Sequence, residues 1–165
     1  MPVTRPAKLL VAATLALALP QGAMAKSGPG VVCSLATTAL MFGDYLPLRR
    51  TSADSTAVIS VTCTTAATSP EPVTGSIALA GTAPAANRLL SHGHHAIRYQ
   101  LYADPARSRV WGDGAASGTT MAISGKVSAT LPYRQTIRVY GRIAANNPSA
   151  AADFYADTIT ATLDY

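Results

Sequence analysis

An all-β chain folded as a sandwich or barrel is what the sequence predicts. Three observations predict it. Apolar and polar residues alternate in several short runs. Turn residues separate those runs at roughly ten-residue spacing. Beyond the first 25 residues no segment keeps a sustained helical apolar period. Composition agrees. Of the 165 residues 48% are hydrophobic, enough for a packed core, while only 13% are charged, which argues against a long solvated helix or coiled coil. The length allows one ordinary domain.

The first segment stands apart from that domain. Arg5 and Lys8 are followed by the apolar run Leu9 to Leu19, then Pro20, Gly22 and the small-x-small site Ala23-Met24-Ala25. This is the layout of a secretory signal peptide, residues 1–25, and the run is too short for a permanent membrane anchor. Cleavage would leave a domain of residues 26–165 and lower the formal charge from +5 to +3. With no Lys/Arg cluster longer than Arg49-Arg50, nucleic acid is not an expected partner. Export also decides how the two cysteines read. An oxidising compartment pairs Cys33 with Cys63, and no Cys or His at ligand spacing points to zinc instead.

The strands follow in order. Leu35 to Phe42 is a Thr-rich and apolar run that ends at Gly43. In Ala57 to Cys63, Ile59, Val61 and Cys63 share a face. Ile77 and Leu79 alternate with small residues, and Ile97, Tyr99 and Leu101 with Arg98, Gln100 and Tyr102. Ile137, Val139, Gly141 and Ile143 form one face of the next run; Ile159, Ala161, Leu163 and Tyr165 form one face of the last. Ser69-Pro70-Glu71-Pro72, Ala103-Asp104-Pro105, Gly112-Asp113-Gly114 and Asn146-Asn147-Pro148 read as turns.

Candidate chemistry is sparse. His92, His94 and His95 lie in one short segment, but adjacent residues of a strand face opposite ways and no carboxylate is near in sequence; an exposed loop is expected, with no metal site. Trp111 before Gly112-Asp113-Gly114 reads as a core or edge anchor ahead of a turn. Arg88, Arg98, Arg107 and Arg109 read mostly as solvated outward positions. Ser117 lacks the spacing of a nucleophile elbow, and Gly112, Gly114 and Gly118 miss the dinucleotide spacing. No catalytic residue and no cofactor are expected, so the chain does not read as an enzyme.

The stretches CSLATTALMFGDYLPL from Cys33, STAVISVTCT from Ser55 and GTAPAANRLL from Gly81 carry a resemblance. So do IRYQLYADPARSRVWGDG from Ile97, IRVYGRI from Ile137 and FYADTITATLDY from Phe154. In that order they resemble the spore coat U domain, the subunit domain of archaic (Csu-type) chaperone–usher pili. The stretch Ala151-Ala152-Asp153-Phe154 departs from the pattern, where a Gly is expected before the final Tyr-x-Asp. The resemblance implies an immunoglobulin-like sandwich that lacks its last strand. It also implies a fibre or coat subunit completed by a strand lent first by a periplasmic pilus chaperone and later by a neighbouring subunit, with an outer-membrane usher as the third partner. The implied location is the periplasm in transit, then the cell surface or an extracellular fibre, with adhesion and biofilm formation as the setting.

The final run, Thr158 to Tyr165, is strand-like and has nothing after it to close the sheet, so an apolar groove and a free edge are expected beside it. Ile159, Ala161, Leu163, Tyr165, Leu35 and Leu40 are the residues expected to line that groove. The segment Lys26 to Val32 reads KSGPGVV and offers few apolar side chains for donation to another subunit. Such a chain would accept a strand without giving one, and would sit at a fibre end, most naturally an adhesive tip. A stand-alone secreted binding module with a complete sandwich is the alternative.

Overall fold

The computed structural model describes residues 30–47, 50–114, 118–145, 147, 151 and 153–165. The expected signal peptide, the segment Lys26 to Pro29, and Ser117 lie outside the described residues. Eight strands form: β1 (Val32–Thr37), β2 (Ala53–Thr64), β3 (Glu71–Ala80), β4 (Leu89–His92), β5 (His95–Tyr102), β6 (Met121–Val127), β7 (Tyr133–Ile143) and β8 (Thr160–Asp164). A single 3-10 turn, Ala85–Asn87, is the only helical element among the described residues. Strand order is β1-β2-β7-β5-β4 in one sheet and β6-β3-β8 in the other, with every strand pair antiparallel. The chain is thus an all-β, two-sheet sandwich.

The alternation in the sequence explains which face is buried. Ile59, Val61 and Cys63 on β2, Ile97, Tyr99 and Leu101 on β5, and Ile137, Val139 and Ile143 on β7 point into the space between the sheets. Ile77, Leu79, Ile123, Val127, Ala161 and Leu163 meet them from the smaller sheet in one continuous core. Cys33 and Cys63 sit opposite each other in the β1–β2 register and are bonded, with Cα atoms 4.0 Å apart.

Three local readings change. The expected strand Leu35 to Phe42 stops at Thr37, for a reason given below. Glu71 and Pro72, read as part of a turn, open β3. Pro72 is tolerated there because β8 reaches only Ser76–Ala80, which leaves that end of β3 with one neighbour. β4 and β6 are further strands. β4 is short, and β6 places Gly125 under the Tyr133 ring, so its alternation carries few large apolar residues to announce it.

Candidate functional site

The interior of this sandwich closes through a slip of strand phase after β1. Along β1 the odd positions Cys33, Leu35 and Thr37 pair with the inward Cys63, Val61 and Ile59 of β2. The even positions Ser34 and Ala36 are exposed. Continued alternation would send Leu40 and Phe42 outward. They are buried instead, at 5% and 8% exposure. The phase slips between Thr37 and Leu40, where Thr38 and Ala39 are both exposed. Thr38 still donates its N–H to Val58 O at 2.9 Å and accepts from Val58 N at 2.8 Å; past it the chain leaves the ladder and turns into the core. Gly141 makes room for this. A Cβ there would lie 2.9 Å from the side chains of both Leu40 and Phe42. Downstream, the Tyr45 hydroxyl donates to Ala144 O at 2.9 Å and accepts from Asn147 Nδ2 at 2.7 Å, which pins the far end of the segment.

Beneath Leu40 and Phe42 lies an apolar cavity of about 30 Å³. Ala57, Ile59, Leu79, Leu90, Tyr99 and Leu101 line it with Val139, Ile159 and Thr38. With Thr38 its only hydroxyl besides Tyr99, the cavity offers a water few of the polar partners it needs. The interior of the lone chain is therefore almost sealed by its own Leu40 and Phe42.

The edge above it stays unpaired. β8 pairs with β3 on one side and with no strand on the other among the described residues. Beyond β6, the smaller sheet is continued by Gly112, whose carbonyl accepts from Leu79 N, while Trp111 N–H donates to Leu101 O on β5, both at 2.9 Å. The β6 side is thereby tied to the β5 flank. The free edge of β8 lies on the opposite flank, the side of β1. Of the residues expected to line a groove, Leu40 and Ile159 meet at the cavity. Ala161 and Leu163 are buried against the core, and Leu35 and Tyr165 pack on it half-buried, all four outside the cavity lining.

The β5 flank is closed by polar groups. Arg88, read from sequence as outward, is 1% exposed. Its guanidinium donates to Leu79 O and Trp111 O at 2.8 Å and to Gln100 Oε1 at 3.1 Å, so the charge is buried against carbonyls that need donors. Burial pulls its pKa below the ordinary arginine value. Trp111 is fully buried and donates Nε1–H to Ile77 O at 2.9 Å, an anchor between sheets. Tyr99 donates its hydroxyl to Asp157 at 2.7 Å; burial first, then that bond, pushes its pKa well above the ordinary tyrosine value. These groups fasten the β5 flank.

The histidines form the tip of the β4–β5 hairpin and are exposed. His92 Nε2 lies 3.1 Å from Asp153, a carboxylate distant in sequence. No group of three or more metal-ligating side chains occurs among the described residues. None of their helices is long and apolar enough to cross a membrane.

The profile of the Spore Coat Protein U domain matches residues 27–162 of the 165. The chain belongs to the Spore Coat Protein U domain family. That family comprises structural subunits of pilus or coat type at the cell surface. No curated protein matches this chain. The motifs that carried the resemblance fall on the features just described. Phe42 and Tyr45 of the FG-x-Y stretch cover and pin the interior, Trp111 of VWGDG bridges the sheets, and Gly141 of VYGRI opens the space that Leu40 and Phe42 fill. Sequence reasoning did not place Phe42, Leu90 and Val139 at one cavity. The only available signal was Gly141, the one small residue on an otherwise bulky inward face.

Proposed function

We propose that this Spore Coat Protein U domain chain is a structural subunit of an extracellular fibre of the archaic chaperone–usher type, or of a coat, assembled by strand donation. The observation that carries this reading is the edge of β8, unpaired among the described residues, beside an apolar cavity. A strand from a periplasmic chaperone, and later from a neighbouring subunit handed over at an outer-membrane usher, would pair along that edge. Room for its side chains arises when the Thr38–Phe42 segment lifts, because the cavity itself is too small for them. Four or five large apolar side chains entering there would contribute on the order of 6–15 kcal/mol of burial, before ordering costs. Ile159, Ala161, Leu163, Tyr165, Leu35 and Leu40 would line the opened groove. Nothing in this scheme requires catalysis or a cofactor.

A terminal, adhesive position on the fibre is part of the proposal. Residues 26–32 carry Gly28, Pro29 and Gly30, and Val31 is already buried in its own core while Val32 points to solvent. Such a segment is a poor strand to lend. Immunogold labelling confined to fibre ends supports the position; labelling along the shaft refutes it.

The nearly sealed interior favours a second reading, a stand-alone secreted sandwich. Periplasmic expression separates the two. Strand donation predicts degraded or aggregated chain without a pilus chaperone and soluble complex with one. The stand-alone reading predicts a soluble monomer either way.

A further inference from the structure

The outer face of the larger sheet concentrates charge of one sign. β7 presents Arg134, Arg138 and Arg142 outward at every fourth residue, about 13 Å apart along the strand. Arg98 on β5 shares the face, and Arg107, from the turn after β5, reaches over the Tyr140 ring at 5.9 Å. The only acid on the outer faces of β2, β5 and β7 is Asp54, on β2. It is held by Arg142 at 2.7 and 2.8 Å and by Arg107 at 3.4 Å. Asp104, in the turn with Arg107, is occupied by Ser108 and by Arg109 N–H. The described residues hold nine Lys/Arg and eight Asp/Glu, so a face carrying five arginines and one acid is far more basic than the rest. Arg134 meets only Thr62, Arg98 only Asn87, and Arg138 has no hydrogen-bond or ion-pair partner among the described residues. The guanidiniums of Arg98, Arg134 and Arg138 are therefore available, while those of Arg107 and Arg142 are engaged by Asp54.

We infer that this face is a docking surface for an acidic polysaccharide, a polymer bearing carboxylates spaced along a sugar chain. Guanidinium forks suit carboxylates. Between the arginines stand Thr56, Ser60, Thr62 and Thr136, whose hydroxyls match sugar hydroxyls. Tyr102 and Tyr140, partly exposed and opposite each other across β5 and β7, add aromatic surface to the face. Arg98, Gln100, Tyr102 and Arg142 rim a shallow concavity of about 240 Å³ at one end of the face. Duplex DNA fits less well. Its charges recur about every 1.7 Å and its grooves admit a protruding helix or ribbon, whereas this face is broad with widely spaced cations. The inference does not depend on strand donation, since it uses a different surface.

The test is retention of the full mature chain on polyuronate beads, with neutral dextran beads and duplex DNA beads alongside. Expected is binding to polyuronate at low salt, none to dextran, and release near 1 M salt, where the screening length is about 3 Å. The double variant R134Q/R138Q, whose residues are exposed and outside the Asp54 pairs, is expected to bind roughly five- to tenfold more weakly with an unchanged melting temperature. R134K/R138K keeps the charge and is expected to retain most of the binding. Equal retention on polyuronate and dextran overturns the inference, as does unaltered binding by R134Q/R138Q. Tighter retention on DNA than on polyuronate overturns the choice of polymer.

Discussion

Leu40→Ala probes how the lone chain keeps its interior closed. Leu40 is 5% exposed, makes the roof of a cavity of about 30 Å³, and reaches it only because Gly141 gives way. Removing a buried Leu side chain costs roughly 2 kcal/mol in transfer, plus ~24 cal/mol for each Å³ left unfilled. The new void adjoins an existing one and the segment is pinned at Thr38 and Tyr45, so collapse around it is restricted. About 3 kcal/mol is therefore expected, which for a domain of this size lowers the melting temperature by about 10 °C. Differential scanning calorimetry of the oxidised chain measures it. The same substitution in chain bound to a complementing strand should cost less than half as much, because the inserted side chains fill the vacated space. A drop below about 3 °C in the lone chain would refute the sealing role. Equal losses in the free and bound chain would refute the idea that the strand enters beneath this segment.

Three further outcomes follow from the same geometry. Arg88→Met leaves Leu79 O and Trp111 O without their guanidinium donor, and urea denaturation should show a loss of about 2–4 kcal/mol that Arg88→Lys does not restore, since one ammonium lacks the planar fork that serves both carbonyls. Replacing Cys33 and Cys63 by Ser opens a 30-residue separation and should cost about 3–4 kcal/mol in the loop-entropy treatment, measured by guanidinium denaturation. The Arg142 hydrogen bond, with Arg107 and Arg142 charges beside it, holds the Asp54 carboxyl below the ordinary aspartate pKa. A depressed folded-state pKa contributes stability that is present above the unfolded value of about 3.9 and is lost as pH falls through the folded one. Asp54→Asn should thus lower stability at pH 7 by no more than about 1 kcal/mol, given the exposure of the pair, with the difference from the parent vanishing toward pH 2 in acid denaturation curves.

Most strands were legible because period-2 alternation survives wherever large residues mark one face. Ile97, Tyr99 and Leu101, or Ile137, Val139 and Ile143, could hardly be read otherwise. β6 was not legible, since its run is diluted by Ser124, Gly125 and Lys126. The segment after β1 misled for a physical reason. Local alternation carries no mark of a phase slip, and only the packing of Leu40 and Phe42 over Gly141 makes the inward turn favourable. Arg88 misled similarly. Its burial depends on carbonyls of Leu79 and Trp111, which are brought to it by strands distant in sequence. The free edge of β8 could be anticipated from the strand-like last run, whereas the near closure of the interior could not, because it depends on that slip.

Hydrogen exchange along Thr160–Asp164, compared between the free chain and the chain assembled into fibre or bound to a chaperone, tests the central claim most directly. Pairing of a borrowed strand with β8 predicts that its outward amides become strongly protected while those on the outer edge of β4 keep their free-chain rates. Unchanged exchange in β8 within intact assemblies, or new protection confined to β1 or β4, would contradict it.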